Sequence, residues 1–97
     1  MPAGNWMDQV IDNAAESRFE LALEGGTALI AYRIEGERIV LIHTEVPQAL
    51  SGQGVGSRLA KGAFELIRTS GRKAILRCEF LRGWIVKHPD YDDIIDG

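Results

Sequence analysis

The chain has 97 residues, 45% of them hydrophobic and 26% charged, with a formal net charge of -3 and a single cysteine, Cys78. That size supports one core, so one domain over residues 1–97 is expected, and the composition is neither that of a disordered chain nor that of a membrane-spanning one. A lone cysteine excludes an intrachain disulfide, and "MPAGNWMDQVIDNAAE" has no basic segment followed by an apolar one, so a cytoplasmic protein is expected.

Taken in chain order, "SRFELALEG" alternates Phe19, Leu21 and Leu23 against Arg18, Glu20, Ala22 and Glu24, the period of a half-buried strand. Gly25 and Gly26 turn the chain, and Ala28, Ile30, Tyr32 and Ile34 alternate in a second strand. A turn around Gly36 leads into a third, which completes an antiparallel meander. Its "IVLI" is apolar at every position, as in a central strand covered on both faces, and Pro47 ends the pairing. From about Gly54 to Ser70, Val55, Leu59, Ala63, Leu66 and Ile67 form one helical stripe, with Gly71 as the stop. "KAILRC" reads as a fourth strand, which a right-handed crossover makes parallel to the third. "FLRGWIVKH" reads as a short helix ending before Pro89. The expected fold is therefore α/β: a mixed, mostly antiparallel sheet with one main helix and a short C-terminal helix.

Charge is unevenly spread. Residues 1–50 hold three Lys/Arg against eight Asp/Glu, residues 51–88 hold eight against two, and the last nine add four aspartates. The basic middle favours an anionic ligand, although Arg58, Lys61 and Arg68 read equally well as the wet face of the helix. Nothing interleaves basic and aromatic residues as a nucleic-acid surface would, so neither nucleic acid nor membrane is expected as a partner.

The basic stretch opens on "SGQGVG", with glycines at 52, 54 and 56 just before the helix. A helix start offers unpaired N–H groups and a partial positive charge, and glycines let several amides turn toward a bound phosphate. A tight strand-to-helix turn without ligand is the alternative. The ATP-binding glycine pattern is absent, and Ser57 stands where the dinucleotide pattern requires its last glycine.

"HTEVPQALSGQGVGSRLAKGAFELIRTSGRK", with "LRCEF" and "KHPDY" after it, resembles the GNAT acetyltransferase superfamily, and within it the minimal branch of N-acetyltransferase-domain proteins. The family pattern R/Q-x-x-G-x-G/A opens the helix that binds the diphosphate of acetyl-coenzyme A; Gly54 and Gly56 match it, and Ser51 departs from Arg or Gln. The resemblance implies a splayed parallel strand pair with the pantetheine arm in the gap. It further implies Thr44, Glu45 and Val46 facing that arm through backbone groups, and Gln53, Gly54, Val55, Gly56 and Ser57 around the diphosphate. In larger members a tyrosine on the late helix often protonates the departing thiolate; Trp84 lies in the matching region here. The implied activity is acetyl transfer from acetyl-coenzyme A to an amine on a small molecule or protein, the alternative being a non-catalytic coenzyme A-binding module or acyl sensor.

Acetyl transfer needs a neutral amine, and a lysine-like amine is mostly protonated at neutral pH, so a base is useful. His43 and Glu45 lie two apart on one face of the third strand and are candidates, each also readable as a structural side chain. Cys78, at the end of the fourth strand on the other lip of the gap, could carry the acetyl group, orient the amine, or be an inert buried thiol. Lys87 and His88 could meet the cofactor or merely cap the last helix. His43, Cys78 and His88 lack zinc-site spacing, so no metal is expected. A monomer or weak homodimer is expected, and the open side of the site could be completed by a second copy, a protein substrate, or the N-terminal residues around Trp6.

Overall fold

The computed structural model describes residues 9–97; Trp6 lies outside them. Five strands form one sheet in sequential order: β1 (Ile11–Asn13), β2 (Arg18–Leu23), β3 (Gly26–Glu35), β4 (Arg38–Glu45) and β5 (Lys73–Leu76). The first four pair antiparallel and β4 pairs parallel with β5, so the third and fourth predicted strands are β4 and β5. Helix α1 (Val55–Ser70) makes the crossover, and α2 (Glu79–Val86) follows β5.

Alternation decides which face is covered. Phe19, Leu21, Ala28, Ile30, Tyr32, Ile39, Leu41, Ala74 and Leu76 are buried on one face of the sheet, in one core with Val55, Leu59, Ala60, Ala63, Phe64 and Ile67 of α1 and Leu81 and Trp84 of α2. Burying such side chains stabilises by roughly 1.5–3 kcal/mol each, which outweighs the modest helix propensity of Val55, Phe64 and Ile67. Leu66, at the margin of the predicted stripe, is half-buried. Gly71 ends α1 in the left-handed conformation at φ 81°, its N–H reaching the Arg68 carbonyl at 3.2 Å, as its position in the sequence predicted.

Several details depart from the sequence reading. β1 was not foreseen; it runs beside β2, and Val10 just before it lies so close to α1 that a Cβ on Gly62 would stand 2.3 Å from a Val10 methyl. In "IVLI", Ile39, Val40 and Leu41 are buried, but Ile42 is 41% exposed, because a bulge opposite Ala31 and Tyr32 displaces it from the ladder. β5 stops at Leu76 rather than at Cys78, and residues 95–97 run along its outer edge, Asp96 N–H to Ala74 carbonyl and Leu76 N–H to Gly97 carbonyl both at 2.8 Å. Among the described residues, no helix is long and apolar enough to cross a membrane.

Candidate active site

β4 ends at Glu45, and Val46, Pro47 and a single 3-10 turn over Gln48–Leu50 carry the chain to the glycines. Ser51 donates its hydroxyl to the Gln48 carbonyl at 2.7 Å and the Gln53 side-chain amide donates to the Ala49 carbonyl at 3.3 Å, so this loop is held by its own groups. Gly52 and Gly54 both sit in left-handed backbone, at φ 80° and 73°. Gly54 is the N-cap of α1 and has no side chain to satisfy the helix start; the first intrahelical bond runs from Arg58 N–H to the Gly54 carbonyl at 3.1 Å. The amides of Val55, Gly56 and Ser57 are thereby left without an intrahelical acceptor, and no acidic side chain stands in the first turn to neutralise them. Gly56 has an ordinary φ, and its reason is room: a Cβ there would stand 2.9 Å from Cζ of Phe80. An open groove of about 360 Å³ faces these residues, floored by Val46, Leu50 and Val55 and walled by Phe80 and Trp84.

Val46 of the groove lies five residues past Leu41, the last residue of β4 in register with β5, so the strands have parted before the chain reaches it. Their last rung is the Arg77 N–H to Leu41 carbonyl bond at 2.9 Å. Beyond it β4 stays paired with β3 through Thr44 and Glu45, while the other chain turns into α2, whose N-cap is Cys78. Arg82 Nε donates to the Leu76 carbonyl at 2.9 Å and holds that turn. Across the opening, Thr44 Oγ1 and Cys78 Sγ are 3.2 Å apart, and Cys78 is only 8% exposed. Cys78 thus occupies the far lip, as expected, but as the residue that caps a helix rather than as the end of a strand.

His43 and Glu45 are brought to each other, Nε2 to Oε2 at 2.6 Å, but not to Cys78. Thr44 is opposite buried Ile30 and faces the helices; His43 is opposite Ala31 and Glu45 opposite Leu29, so both project from the other face and are exposed. There Arg18 and Glu20 stand one strand further along the same two rows, paired at 2.6 Å. Hydrogen bonds from Arg18 and then Asn13 hold the Glu20 carboxyl below its ordinary pKa.

Trp84 is 7% exposed and both a core residue and a wall of the groove. Its ring stacks on Phe64 with centroids 5.4 Å apart and on His88 at 3.7 Å, and its indole N–H donates to Ser57 Oγ at 2.8 Å. Ser57 therefore ties α1 to α2 through its hydroxyl while its amide stays available. His88 Nδ1 lies 2.8 Å from the Trp84 carbonyl, which only accepts, so Nδ1 is the donor of that bond. Lys87 is not at the glycine loop; it borders an adjoining recess with Glu79, Phe80 and Gly83.

Neither tyrosine of the chain lines the groove. Burial, reinforced by a hydrogen bond to Asp12, pushes Tyr32 up to about 12; burial with a hydrogen bond to Glu65 does the same to Tyr91. Sequence reasoning missed Phe80 and Arg82. Phe80 sits one position off the Leu81–Trp84 stripe and is 43% exposed, and an aromatic beside a buried stripe was the available signal. Among the described residues, no three His, Cys, Asp or Glu side chains gather in a way that could hold a metal ion.

Comparison with known proteins places this geometry. Residues 18–94 match the family profile of GCN5-related N-acetyl-transferases. The chain is 34% identical to Protein NATD1 of Gallus gallus over 84 residues, covering 84% of this chain and 76% of that protein. It is 36% identical to Protein NATD1 of Mus musculus over 75 residues, covering 74% and 68%. The solution structure of a GCN5-like protein from Staphylococcus aureus is similar with a TM-score of 0.71 at 30% identity, over 94% of this chain and 90% of that one.

Proposed function

The chain belongs to the GCN5-related N-acetyltransferase family, and from that premise we propose that it binds acetyl-coenzyme A and transfers the acetyl group to an amine. The observation that carries the reading is the run of three unpaired amides, Val55 to Ser57, at the start of a 16-residue helix, facing a groove that also holds Val46, two residues past the Thr44 that meets Cys78. These residues fit the cofactor: amides and the helix dipole for a diphosphate, an apolar floor for the arm, and a gap between parting strands for the thioester.

When bound, acetyl-coenzyme A supplies an acyl group activated toward an amine. The chain's part is to grip the diphosphate at Gly54 to Ser57 and lead the thioester toward the Thr44–Cys78 opening, where Thr44, Val46 and Cys78 surround it. Cys78 either accepts the acetyl group or orients the amine. His43 and Glu45, on the opposite face of β4, are placed to draw a proton from an amine that approaches from that side. The acceptor is an amine on a small molecule or a protein, the chain acts as a monomer or weak homodimer, and it works in the cytoplasm.

A second reading, a coenzyme A-binding module without turnover, is favoured by one observation: Trp84 occupies the late helix and both tyrosine hydroxyls are engaged with Asp12 and Glu65, away from the groove. Calorimetry with coenzyme A, followed by thiol release from acetyl-coenzyme A in the presence of an amine panel, separates the two. Saturable binding with acceptor-dependent thiol is the expected result; binding without it leaves the module, and no binding at millimolar ligand ends both. Intact-mass analysis of Cys78→Ala and Cys78→Ser after incubation with acetyl-coenzyme A decides the role of the thiol, since an acetyl adduct lost in both variants marks a carrier, and full activity in both removes it from the chemistry.

A further inference from the structure

A recess of about 320 Å³ opens beside the last turns of α1, at the end of the helix away from the glycine loop. Phe19, Ile39, Leu66 and Ile67 give it an apolar floor, and Asp12, Ser70 and Arg72 supply its polar groups. That volume is at the lower end of small-molecule sites. Asp12 stands opposite buried Phe19, so its carboxyl is on the face of the sheet that meets α1. The transfer site is elsewhere. Asp12, Phe19, Ile30 and Thr44 succeed one another across the first four strands, so three strand spacings, about 14 Å, separate Asp12 from Thr44. Ile39, at the other side of the recess, lies five residues from Thr44 along β4, about 16 Å.

Both charges of the recess have room for a partner. Tyr32 donates its hydroxyl to Asp12 Oδ1 at 2.6 Å, and among the described residues nothing binds Oδ2. Ser70 donates to the Ile67 carbonyl at 2.6 Å and accepts the Arg72 backbone N–H at 3.2 Å, so its hydroxyl is occupied. The guanidinium of half-buried Arg72 makes no hydrogen bond or ion pair among the described residues, whereas Arg18, Arg33, Arg38 and Arg68 each hold a carboxylate. Asp12 and Arg72 do not pair with each other, although both act on the Tyr32 hydroxyl: burial raises its pKa first, the bond to Asp12 adds to that, and the charge of Arg72 opposes it.

We propose that this recess binds a free aliphatic α-amino acid, with its ammonium on Asp12 Oδ2, its carboxylate on the guanidinium of Arg72 and its side chain on the apolar floor. The chemistry matches at both ends: a carboxylate accepts a charge-assisted bond from an ammonium, and a guanidinium offers two parallel N–H groups to a carboxylate. An anion alone would be repelled by Asp12 and a cation alone by Arg72, so a small molecule of one sign is rejected and one of both signs is taken. The amino acid is a ligand of a second site and not the acetyl acceptor, because its amine, on Asp12, is three strands from Thr44. In joining Asp12 of β1 to Arg72, which lies between α1 and β5, it fastens the short edge strand to the body of the fold.

The test is calorimetry with L-leucine and with three analogues that each lack one feature: isocaproate has no amine, isoamylamine no carboxylate and glycine no side chain. L-leucine should bind, and each analogue should bind at least about tenfold more weakly. Asp12→Asn keeps an oxygen for the Tyr32 hydroxyl, and Arg72→Gln removes a guanidinium that holds nothing in the described chain, so both should melt close to the unaltered protein. Each should weaken L-leucine about tenfold, but Asp12→Asn should not weaken isocaproate, nor Arg72→Gln isoamylamine. Arg72→Lys, which keeps the charge and loses the planar fork, should recover part of the affinity. L-leucine should also raise the melting temperature, and by less in Asp12→Asn and Arg72→Gln. Absence of both heat and melting shift with L-leucine at about 10 mM, equal affinity for the analogues, or unchanged L-leucine binding in the two variants overturns the assignment. None of these results depends on coenzyme A, so failure here leaves the proposed function standing.

Discussion

Gly54 and Gly56 flank one residue at the start of α1, yet the structure gives them different reasons, and alanine at each should separate fold from function. At Gly54 the backbone is left-handed, φ 73° and ψ 15°, with open space around a Cβ, so only conformation is at stake. A side chain in that region costs about 1–2 kcal/mol, offset in part by the stiffer unfolded chain, which alone favours alanine by about 0.4–1 kcal/mol. Gly54→Ala should therefore lose about 1 kcal/mol, or about 4–8 °C of melting temperature for a domain this small. Gly56 is helical with an ordinary φ, and alanine gains up to about 1 kcal/mol of helix propensity there. Its methyl meets the tip of Phe80 at 2.9 Å, and a ring 43% exposed can swing aside. Stability should stay within about 0.5 kcal/mol of the unaltered chain, but the displaced ring enters the groove and coenzyme A affinity should fall by about tenfold or more. Thermal unfolding and calorimetry on the same preparations give both readouts. Full coenzyme A affinity in a well-folded Gly56→Ala protein would refute the reasoning about the groove, and unchanged melting of Gly54→Ala would refute the left-handed cap.

Three further outcomes follow from packing and titration. Gly62→Ala should destabilise by about 1–3 kcal/mol in urea titrations, because its Cβ would lie 2.6 Å from the Val10 Cβ as well as 2.3 Å from a methyl, and an unchanged midpoint would remove the contact between Val10 and α1. Ser57→Ala leaves the nearly buried Trp84 N–H without its acceptor and should cost about 1–3 kcal/mol, with Ser57→Thr recovering most of it; equal stability of all three proteins would contradict the bond. Tyr32 and Tyr91 bind their protons more tightly folded than unfolded, so their contribution is whole below pH 10 and is lost as pH rises from 10 toward 12, by at most about 1.4 kcal/mol per unit for each. Urea midpoints measured from pH 8 to 11.5 should fall in that window and fall less steeply for Tyr91→Phe, and identical slopes would exclude Tyr91 as a source.

Much of this protein is written in short-range pattern. Alternation at Phe19, Leu21, Ala28 and Ile30, the stripe from Val55 to Ile67 and the stop at Gly71 are local properties, because a strand repeats every two residues and a helix every 3.6, and neither needs a distant partner to be recognised. The glycine loop is equally local, since its φ angles are set by the residues that can adopt them. Only tertiary structure decided the rest. β1 is three residues with Ile11 half-exposed, too short to show a period, and it exists because β2 offers an edge and Gly62 gives Val10 a place against α1. The bulge at Ala31 and Tyr32 changed which residues of β4 count as covered, exposing Ile42. That His43 and Glu45 face away from Cys78 while Thr44 touches it, and that Phe80 rather than Trp84 presents an open ring to the groove, depend on which lip of the sheet and which side of α2 a residue meets. Those meetings join positions 34 residues apart at Thr44 and Cys78 and 27 apart at Ser57 and Trp84, and no periodicity reaches across such distances.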